Sequence, residues 1–382
     1  MRLLDRYILK NFLVPFVYCF CGFLAIWLVF DLRDNANDFI DAHLSPVRVM
    51  QFYLTQLPQI ALLCLPVGLL LALLYCLSRM SRSNEIISML TAGRSVVRVL
   101  LPLICVGVLA TAAGMGLSYK LAPHADEVKR NFLKDIAKGK AKGSGIEEQL
   151  FRNRSDHRTW YVQSMRGNDL HGVHIIQQDE NGNISTKWYA RWAAFDPQTK
   201  IWDLARGKTV HFDAQGNITG EDLWLNGDLA IRNWSETPWR ILSSNLDAQN
   251  LSVPELKDYV EFNGDFPPPM LAPYRTYLQY RWAVPVECLV AILIAAPLGI
   301  VFSRRGVLTG VAGSIFAFAG MLFLEKFFLA LGKGYRVPAE IAAWTPDVLF
   351  AIVGFFFLYL RSTNREMPSI SFKRLFKQPK RA

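Results

Sequence analysis

Six long stretches of this chain carry almost no charge, and they constrain its fold more than any other feature. They are residues 12–30, 52–77, 99–118, 282–303, 306–324 and 341–360. Each contains 19 to 26 residues, and the only charged residues within them are Glu287 and Asp347. A helix needs about 20 apolar residues to cross the hydrocarbon core of a bilayer. The sequence therefore predicts a polytopic α-helical membrane protein with six spans and excludes a wholly soluble enzyme.

The charged residues between these stretches predict the orientation of the chain in the membrane. Short segments on the side of the two termini contain 16 Lys and Arg residues, whereas short segments on the opposite side contain four. Because Lys and Arg accumulate in cytoplasmic loops, we expect both termini in the cytoplasm. The net charge is +10, and the basic tail from Lys373 to Arg381 is interpreted as a topology and lipid-surface signal. Without a recognition motif, we expect no nucleic-acid partner.

The spans fall into two groups of three, separated by a long insert on the side opposite the termini. The predicted units are residues 1–118 with spans one to three and a cytoplasmic helix at 79–97, residues 119–281 as the insert, residues 282–361 with spans four to six, and residues 362–382 as a basic tail. Within the insert we expect a helical connector at 119–138, a flexible hinge at 139–145, a β domain at about 146–245 and a return helix at 252–262.

The β domain is predicted from apolar residues that alternate with period two in short runs. Asn181-Gly182 and Asn226-Gly227 are expected to form tight turns, and Asp196-Pro197 and Asp213–Gly216 looser ones. About eight antiparallel strands follow, hence a β-jellyroll or sandwich. Its tryptophans either fill a closed core or line an open seam that receives acyl chains; they are Trp160, Trp188, Trp202 and Trp224.

The sequence contains no recognisable catalytic constellation. Neither HExxH nor GxSxG occurs, and Gly207-Lys208-Thr209 resembles a phosphate-binding loop only in part, because Trp202 stands where the first glycine is required. All six cysteines lie within the spans, so the insert is not a disulfide scaffold. We therefore expect no enzyme, no ATPase site, no metal and no cofactor in this chain.

Residues 79–97 predict a short amphipathic helix between spans two and three. Ile86, Met89 and Leu90 recur at three- and four-residue spacing, and Gly93 is well placed to end the helix. The charges that flank this apolar stripe are Arg82, Glu85 and Arg94. Two interpretations remain open. The helix is either a connector on the membrane surface or a coupling helix that docks in a groove of a separate motor subunit.

Several charges are predicted near the outer boundary of the membrane. They are Arg33 after span one, Lys129, Arg130 and Lys134 after span three, Glu287 in span four, and Glu325 and Lys326 in span five. Ionisable residues at such a depth are candidates for function. An ion pair between spans, or snorkelling of long side chains, explains them without one. The functional interpretation is a rim of cations that meets the phosphates of an amphiphile.

Several short motifs, taken in order, resemble the lipopolysaccharide-export permease family, LptF/LptG. They are Leu4-Asp5-Arg6-Tyr7-Ile8, Ser83-Asn84-Glu85-Ile86 with Ala92-Gly93, Ala122-Pro123, Ala194-Phe195-Asp196-Pro197 with Trp202, Arg305-Gly306-Val307, Leu331-Gly332, Val337-Pro338 and Trp344-Thr345-Pro346. The first motif resembles the start of LptG sequences more than that of LptF sequences. Together with the three-plus-three topology and the β insert, the resemblance covers the whole chain.

The resemblance implies the permease subunit of an ABC-type exporter in the inner membrane. The chain would pair with an LptF-like second permease, a homodimeric LptB-like ATPase that holds ATP and Mg²⁺, and an LptC-like single-span protein. Lipopolysaccharide would enter between the two permeases from the outer leaflet of the inner membrane and pass to a periplasmic β-jellyroll. The contact with the ATPase would involve Arg82, Glu85, Ile86, Met89, Leu90, Gly93 and Arg94.

The resemblance also implies that spans one, two and five line the lipid cavity. Acyl chains would meet Phe20, Leu24, Trp27, Phe316 and Phe323, and the head group would meet Arg33, Arg130, Lys134 and Lys326. The family typically has several lysines at the outer end of span one, whereas this chain has only Arg33 among Asp31, Asp34, Asp38 and Asp41. Either the head group carries fewer phosphates, or divalent cations bridge acid to phosphate.

The alternative function is that of a membrane-anchored periplasmic receptor or assembly protein without transport activity. One span would suffice for such an anchor. Six spans that contain prolines instead indicate moving parts; these are Pro15, Pro58, Pro66, Pro102, Pro285 and Pro297. A receptor should tolerate Glu85→Arg, whereas a permease coupled to a motor should not.

Overall fold

The structure is a computed structural model that describes residues 3–41, 43, 45–123, 125, 146–166, 169–243, 247–300 and 306–363. Several sequence predictions fall outside these residues. They are most of the connector at 119–138, the hinge at 139–145, nearly all of the tail at 362–382, and the cations Lys129, Arg130 and Lys134.

The described residues form ten α-helices. They are α1 (Leu3–Asp41), α2 (Pro46–Arg82), α3 (Glu85–Thr91), α4 (Val96–Gly116), α5 (Pro238–Ser243), α6 (Val253–Phe262), α7 (Pro268–Ala283), α8 (Glu287–Gly299), α9 (Gly306–Lys333) and α10 (Ala339–Ser362). Six segments are long and apolar enough to cross a membrane: Leu3–Asn37, Pro46–Arg82, Val96–Tyr119, Pro268–Gly299, Val311–Lys333 and Ala339–Ser362. The prediction of six spans is confirmed.

The fourth span begins earlier than the sequence predicts. Helix α7 starts at Pro268 and continues through a 3-10 turn, Val284–Val286, into α8, whereas the uncharged stretch starts at 282. Pro268 occupies the first turn of α7. Proline is tolerated there because the first backbone N–H groups of a helix have no intrahelical acceptor. The triple proline at 267–269 therefore marks the start of this helix, with Pro267 as its N-cap residue.

The insert contains an antiparallel β domain, as predicted. The strands are β1 (Ile146–Asn153), β2 (Arg158–Arg166), β3 (Asp169–Gln178), β4 (Ile184–Asp196), β5 (Ile201–Phe212) and β6 (Ile218–Ile231). All six form one sheet, in which each strand pairs with the next along the chain. The described strands number six because Asn226-Gly227, predicted as a tight turn, lies inside β6. It is accommodated by a register shift between the pairs Gly207–Trp224 and Ala205–Asp228.

The other predicted turns form where the sequence places them. Gly182 has φ 87° in the turn between β3 and β4, and Gly216 has φ 84° in the turn between β5 and β6. Both positions need the left-handed conformation that glycine adopts without a steric penalty. In the turn between β4 and β5, the Asp196 carboxylate accepts a hydrogen bond from the backbone N–H of Gln198 at 2.9 Å.

The sheet is strongly curved, so that residues on the inner face of distant strands contact each other. Trp160 on β2 and Trp202 on β5 are separated by three strand spacings, about 14 Å in a flat sheet. Their ring centroids are nevertheless 4.8 Å apart, and both side chains are fully buried. These two tryptophans therefore fill a core, whereas Trp188 and Trp224 are half-buried at its margin.

The segment after β6 closes this core with a buried ion pair. Glu236 is fully buried and accepts hydrogen bonds from Arg158 Nε at 2.9 Å and Asn153 Nδ2 at 2.7 Å. Its backbone carbonyl accepts the indole N–H of Trp202 at 2.8 Å. A buried carboxylate is tolerated only when it is paired in this way, so the network fixes the position of the closing segment on the sheet.

The return helix forms as its sequence predicts. Ser252 and Glu255 make the reciprocal hydrogen bonds of a capping box at the start of α6. This helix packs against α7 through stacked Tyr259 and Tyr274 rings, whose centroids are 3.7 Å apart. The β domain is therefore joined to the fourth span by a packed helical connection.

The membrane helices pack unequally around a common core. Most residues of α8 and of the apolar segment of α2 are buried, and only a small share of the apolar segment of α1 is covered. All six cysteines are free thiols in these helices. Helix α1 therefore lies at the periphery, with a long apolar surface that no described residue covers.

Candidate functional site: an apolar cavity with a charged end

A cavity of about 430 Å³ lies among α1, α2, α7, α8 and α9. Its walls are mainly apolar and come from the first two helices: Phe23, Ile26, Trp27 and Phe30 of α1, and Leu62, Leu63, Cys64, Pro66 and Val67 of α2. Spans one, two and five all contribute to it. Its dimensions and apolar lining suit a hydrocarbon chain.

One end of the cavity is polar. Lys326 Nζ donates hydrogen bonds to Tyr280 Oη and to Glu325 Oε1, each at 2.7 Å. The hydroxyl of Tyr280 donates to the same Glu325 oxygen at 2.5 Å. Glu287 and Glu325 both line this end. A cation, a phenol and two carboxyl groups thus meet where the apolar walls end.

The acidic members of this end are buried, whereas the cation is accessible. Glu287, Glu325 and the nearby Asp347 are at most 7% exposed. The Lys326 side chain is 63% exposed. Buried acids among membrane helices are unfavourable unless compensated, so Lys326 and Tyr280 stabilise the acids. The exposure of Lys326 leaves it able to contact a second anion.

The structure places two predicted lipid-binding residues, Trp27 and Lys326, at this one cavity. Phe20 lies two turns before Trp27 and packs where α1 crosses Gly68 of α2. Leu24 is half-buried between them on α1.

Two other predicted lipid-binding residues point away from the cavity. Phe316 and Phe323 of α9 are 78% and 71% exposed, and neither lines it. They lie seven residues apart and thus share one face of α9. None of the described residues covers this face, so any acyl contact with it lies outside the cavity described here.

The predicted cationic rim is not assembled among the described residues. Arg33 is exposed at the end of α1 and does not line the cavity, and Arg130 and Lys134 lie outside the described residues. Asp31 is engaged by Asn35, whose amide donates to its carboxylate at 3.0 Å. Across the described part of the chain, no three His, Cys, Asp or Glu residues group closely enough to hold a metal ion.

The predicted coupling helix is present as α3, but it is shorter than predicted. It begins at Glu85, because Arg79 and Arg82 belong to the last turn of α2. Gly93, at φ 81°, follows its end, and the N–H of Arg94 donates to the carbonyl of Met89 at 3.2 Å. The prediction that Gly93 ends this helix is confirmed, with the hydrogen bonds of a Schellman motif.

The apolar stripe of α3 faces the protein's own core. Ile86 is 1% exposed, and Met89 and Leu90 pack against the same membrane core. Amphipathic spacing is thus explained by packing within the chain, and this stripe is not available to dock in another protein's groove. The surface that α3 presents is polar; its exposed residues here are Arg82, Ser83, Asn84, Ser88, Thr91, Ala92, Gly93 and Arg94.

Two contacts tie this region to the first helix. Glu85 accepts a hydrogen bond from the Tyr7 hydroxyl of α1 at 3.0 Å. Arg98 at the start of α4 forms an ion pair with Asp5 of α1 at 3.1 Å. A displacement of α3 therefore reaches α1, which forms one wall of the cavity.

Sequence reasoning missed Tyr280. It lies in a stretch assigned to the insert, and its partners Glu325 and Lys326 are 45 and 46 residues away. The one available signal was the pair of charges in span five, which require polar partners at the same depth. Nothing local to residue 280 identifies it as that partner.

Comparison with known proteins agrees with this architecture. Residues 6–361 match the family described as "Lipopolysaccharide export system permease LptF/LptG". This chain belongs to the LptF/LptG family. It is also similar to the "Lipopolysaccharide export system permease protein LptG" of Escherichia coli strain K12, with 23% identity over 370 residues, which cover 94% of this chain and 98% of the relative. The LptG protein of Escherichia coli O6:H1 strain CFT073 gives the same values.

Membership of the family confirms the resemblance seen in the motifs. LptF/LptG proteins are permeases, so the chain is a transport subunit and not a catalytic enzyme. Its six apolar helices make it a multi-pass membrane protein. Gly207-Lys208-Thr209, the partial phosphate-loop motif, lies within β5. There Lys208 pairs with Glu221 at 2.6 Å, and the Thr209 hydroxyl accepts the indole N–H of Trp224.

Proposed function

We propose that this chain is a permease subunit of an ABC-type exporter that extracts lipopolysaccharide from the outer leaflet of the inner membrane. The observation that carries the proposal is the cavity whose apolar walls end at the accessible cation Lys326. An amphiphile with hydrocarbon chains and phosphate groups matches both parts of this cavity. Both termini lie in the cytoplasm and the β domain in the periplasm, as the distribution of Lys and Arg indicates.

The cavity binds the two ends of the lipid by different interactions. An acyl chain lies against Phe23, Trp27 and Phe30, where it loses its contact with solvent. A phosphate attracts Lys326, which exchanges its hydrogen bonds with Tyr280 and Glu325 for charge-assisted bonds to phosphate oxygens. Because Glu325 and the phosphate compete for one cation, small movements of α9 against α7 change the affinity for lipid.

Transport requires that this affinity differ between two states of the protein. Helix α3 is connected to both walls of the cavity, through α2 in the chain and through Tyr7 to α1. A separate, homodimeric LptB-like ATPase, which holds ATP and Mg²⁺, supplies the energy by contacting the polar face of α3. This replaces the contact through Ile86, which the structure buries.

The exposed apolar faces of α1 and α9 are the surfaces where an LptF-like second permease would lie. Phe316 and Phe323 then face a larger cavity between the two permeases. The LptG assignment of this chain is supported by its relatives, both named LptG. The lipid next passes to the periplasmic β domain, where an LptC-like single-span protein joins the assembly.

Affinity purification of the tagged full-length chain in mild detergent tests the proposal. The proteins and lipids that co-purify are identified by mass spectrometry. An ATPase, a second six-span permease and lipopolysaccharide are the expected companions. Recovery of the chain with bulk phospholipid and no ATPase would contradict the proposal and favour a membrane-anchored receptor.

Charge reversal at α3 tests the coupling contact separately. Glu85→Arg is expected to lose the ATPase, because a carboxylate on the contact surface becomes a cation. Glu180→Arg, an exposed reversal in the turn after β3, is the matched control and should retain it. Tyr7→Phe removes the hydrogen bond to Glu85 without changing charge, so retention of the ATPase there attributes the loss to the contact surface. If Glu85→Arg and Glu180→Arg retain the ATPase equally, Glu85 has no role in coupling.

A further inference from the structure

A second cavity, of about 390 Å³, lies at the ends of three membrane helices on the side that carries the β domain. It is formed by the start of α7, the end of α9 and the start of α10. It shares no lining residue with the cavity at Lys326. The residues that matter for its chemistry are Arg275, Thr276, Arg336 and Glu340.

The cavity is electropositive. Arg275 and Arg336 both line it, and neither guanidinium has a hydrogen-bond or ion-pair partner among the residues that the structure describes. Glu340 is the acidic residue in this lining and leaves one positive charge in excess. The first residues of α7 and α10, Pro268 and Ala339, also line the cavity. Two helix N-termini therefore add partial positive charges, which exceed the one partial negative charge at the C-terminal end of α9.

A buried hydroxyl in the wall has no partner. Thr276 is 0% exposed, and its Oγ1 makes no hydrogen bond in the structure. An unsatisfied buried hydroxyl is unfavourable, so an acceptor oxygen on a ligand would be stabilised by this group. The Thr276 hydroxyl packs closely against Gly332, another lining residue. A Cβ on Gly332 would lie 3.0 Å from Thr276 Oγ1.

We propose that this second cavity binds the phosphate group of an anionic membrane lipid. Two arginines without a partner among the described residues and two helix N-termini line a space that is open at the membrane boundary, and the Thr276 hydroxyl is buried in its wall. Arginine recognises phosphate through two parallel hydrogen bonds, which suits an oxygen-rich head group. The site lies one turn of α7 outward from Tyr280 and works independently of lipopolysaccharide export. Its chemistry is that of phosphate, from a lipid head group or from free phosphate.

Native mass spectrometry of the full-length protein, purified with its partners, tests the site. The probes are phosphatidylglycerol and phosphatidylcholine, each added to delipidated protein. We expect one phosphatidylglycerol per chain, bound about tenfold more tightly than phosphatidylcholine. Inorganic phosphate is added as competitor. If millimolar phosphate binds alone and displaces the lipid fully, the ligand is free phosphate; if it does not, the lipid head group is the ligand.

Variants separate the site from general surface charge. Arg275→Gln combined with Arg336→Gln should weaken phosphatidylglycerol about tenfold or more. Lys333→Gln removes a positive charge from the same boundary but not from the cavity lining, and should bind as the wild type does. Thr276→Val keeps shape and charge and should weaken binding about threefold. Unchanged binding in both the double variant and Thr276→Val, or an equal loss in Lys333→Gln, would overturn the proposal.

Discussion

Lys326 shows how one side chain can hold a site together and remain available to a ligand. Its two hydrogen bonds compensate Glu325 and Tyr280, yet its side chain is largely exposed. Its candidate role was predictable from the sequence, because Lys326 lies near the outer boundary of the membrane, where ionisable residues are candidates for function. Its partner Tyr280 was not, because their contact depends on how α7 packs on α9.

Replacing Lys326 tests this residue directly. Lys326→Gln should retain about threefold to tenfold less lipopolysaccharide on purification, since the charge-assisted bond to phosphate is lost. Lys333→Gln, seven residues further along the same helix, is the matched control. Quantifying lipopolysaccharide per protein in both variants gives the answer. Equal retention would remove Lys326 from the binding site.

Asp156 gives a prediction for pH at the residue scale. Burial alone would raise its pKa, but hydrogen bonds from Ser235 and Asn153 and the Arg158 guanidinium at 2.6 Å outweigh this and hold the pKa below its ordinary value. A carboxyl whose folded pKa is lowered contributes stability above its unfolded pKa, about 3.9. That stability is lost as the pH falls through the folded pKa.

Asp156→Asn should therefore destabilise the β domain at pH 7 and make progressively less difference below about pH 4. Hydrogen exchange of the β strands in the full-length protein measures this. Asp258→Asn is the control, because Asp258 is exposed on α6 and has no ion pair among the described residues. A difference between wild type and Asp156→Asn that is the same at pH 7 and pH 3 would contradict the assignment.

The elements differ in how far the sequence determines them. Period-two alternation identified the β domain, and the Ser252–Glu255 spacing identified α6. Asn226-Gly227 was wrongly predicted to be a turn, because a β-bulge within a long pair of strands favours the same residue types as a turn. The apolar stripe of α3 did not predict its own contact partner, for a related reason. Amphipathic spacing shows that a helix has an apolar contact face, but not whether the contact belongs to the same chain.

At the scale of the strands, Gly207 is the most sterically restricted position. A Cβ there would lie 1.9 Å from the carbonyl oxygen of Tyr189 and 2.4 Å from the Trp224 ring. Gly207→Ala should therefore destabilise the β domain by about 1–3 kcal/mol. Gly220→Ala in β6, where nothing lies within 4 Å, should have little effect. Hydrogen exchange of β4 to β6 compares the two, and equal protection would show that the sheet relaxes around the methyl group.

Two features belong to the whole molecule: an uncovered apolar surface, and a cavity whose walls are linked to α3. The described residues leave an apolar surface of α1 and α9 uncovered, including Phe316 and Phe323, and such a surface faces either lipid or a second membrane protein. The cavity walls belong to helices that are linked to α3. The six spans were predictable from charge-free stretches alone, whereas the cavity was not, because it depends on which spans become neighbours.

Photo-crosslinking from the cavity wall tests most directly whether this cavity carries the exported lipid. A photoreactive phenylalanine analogue replaces Trp27, and in a second protein it replaces Phe355, which is exposed on α10 and lines neither cavity. We expect a lipopolysaccharide adduct at position 27 that decreases when ATP is supplied to the complete transporter, and only phospholipid adducts at position 355. Phospholipid adducts alone at both positions, unaffected by ATP, would contradict the claim that this cavity carries the exported lipid.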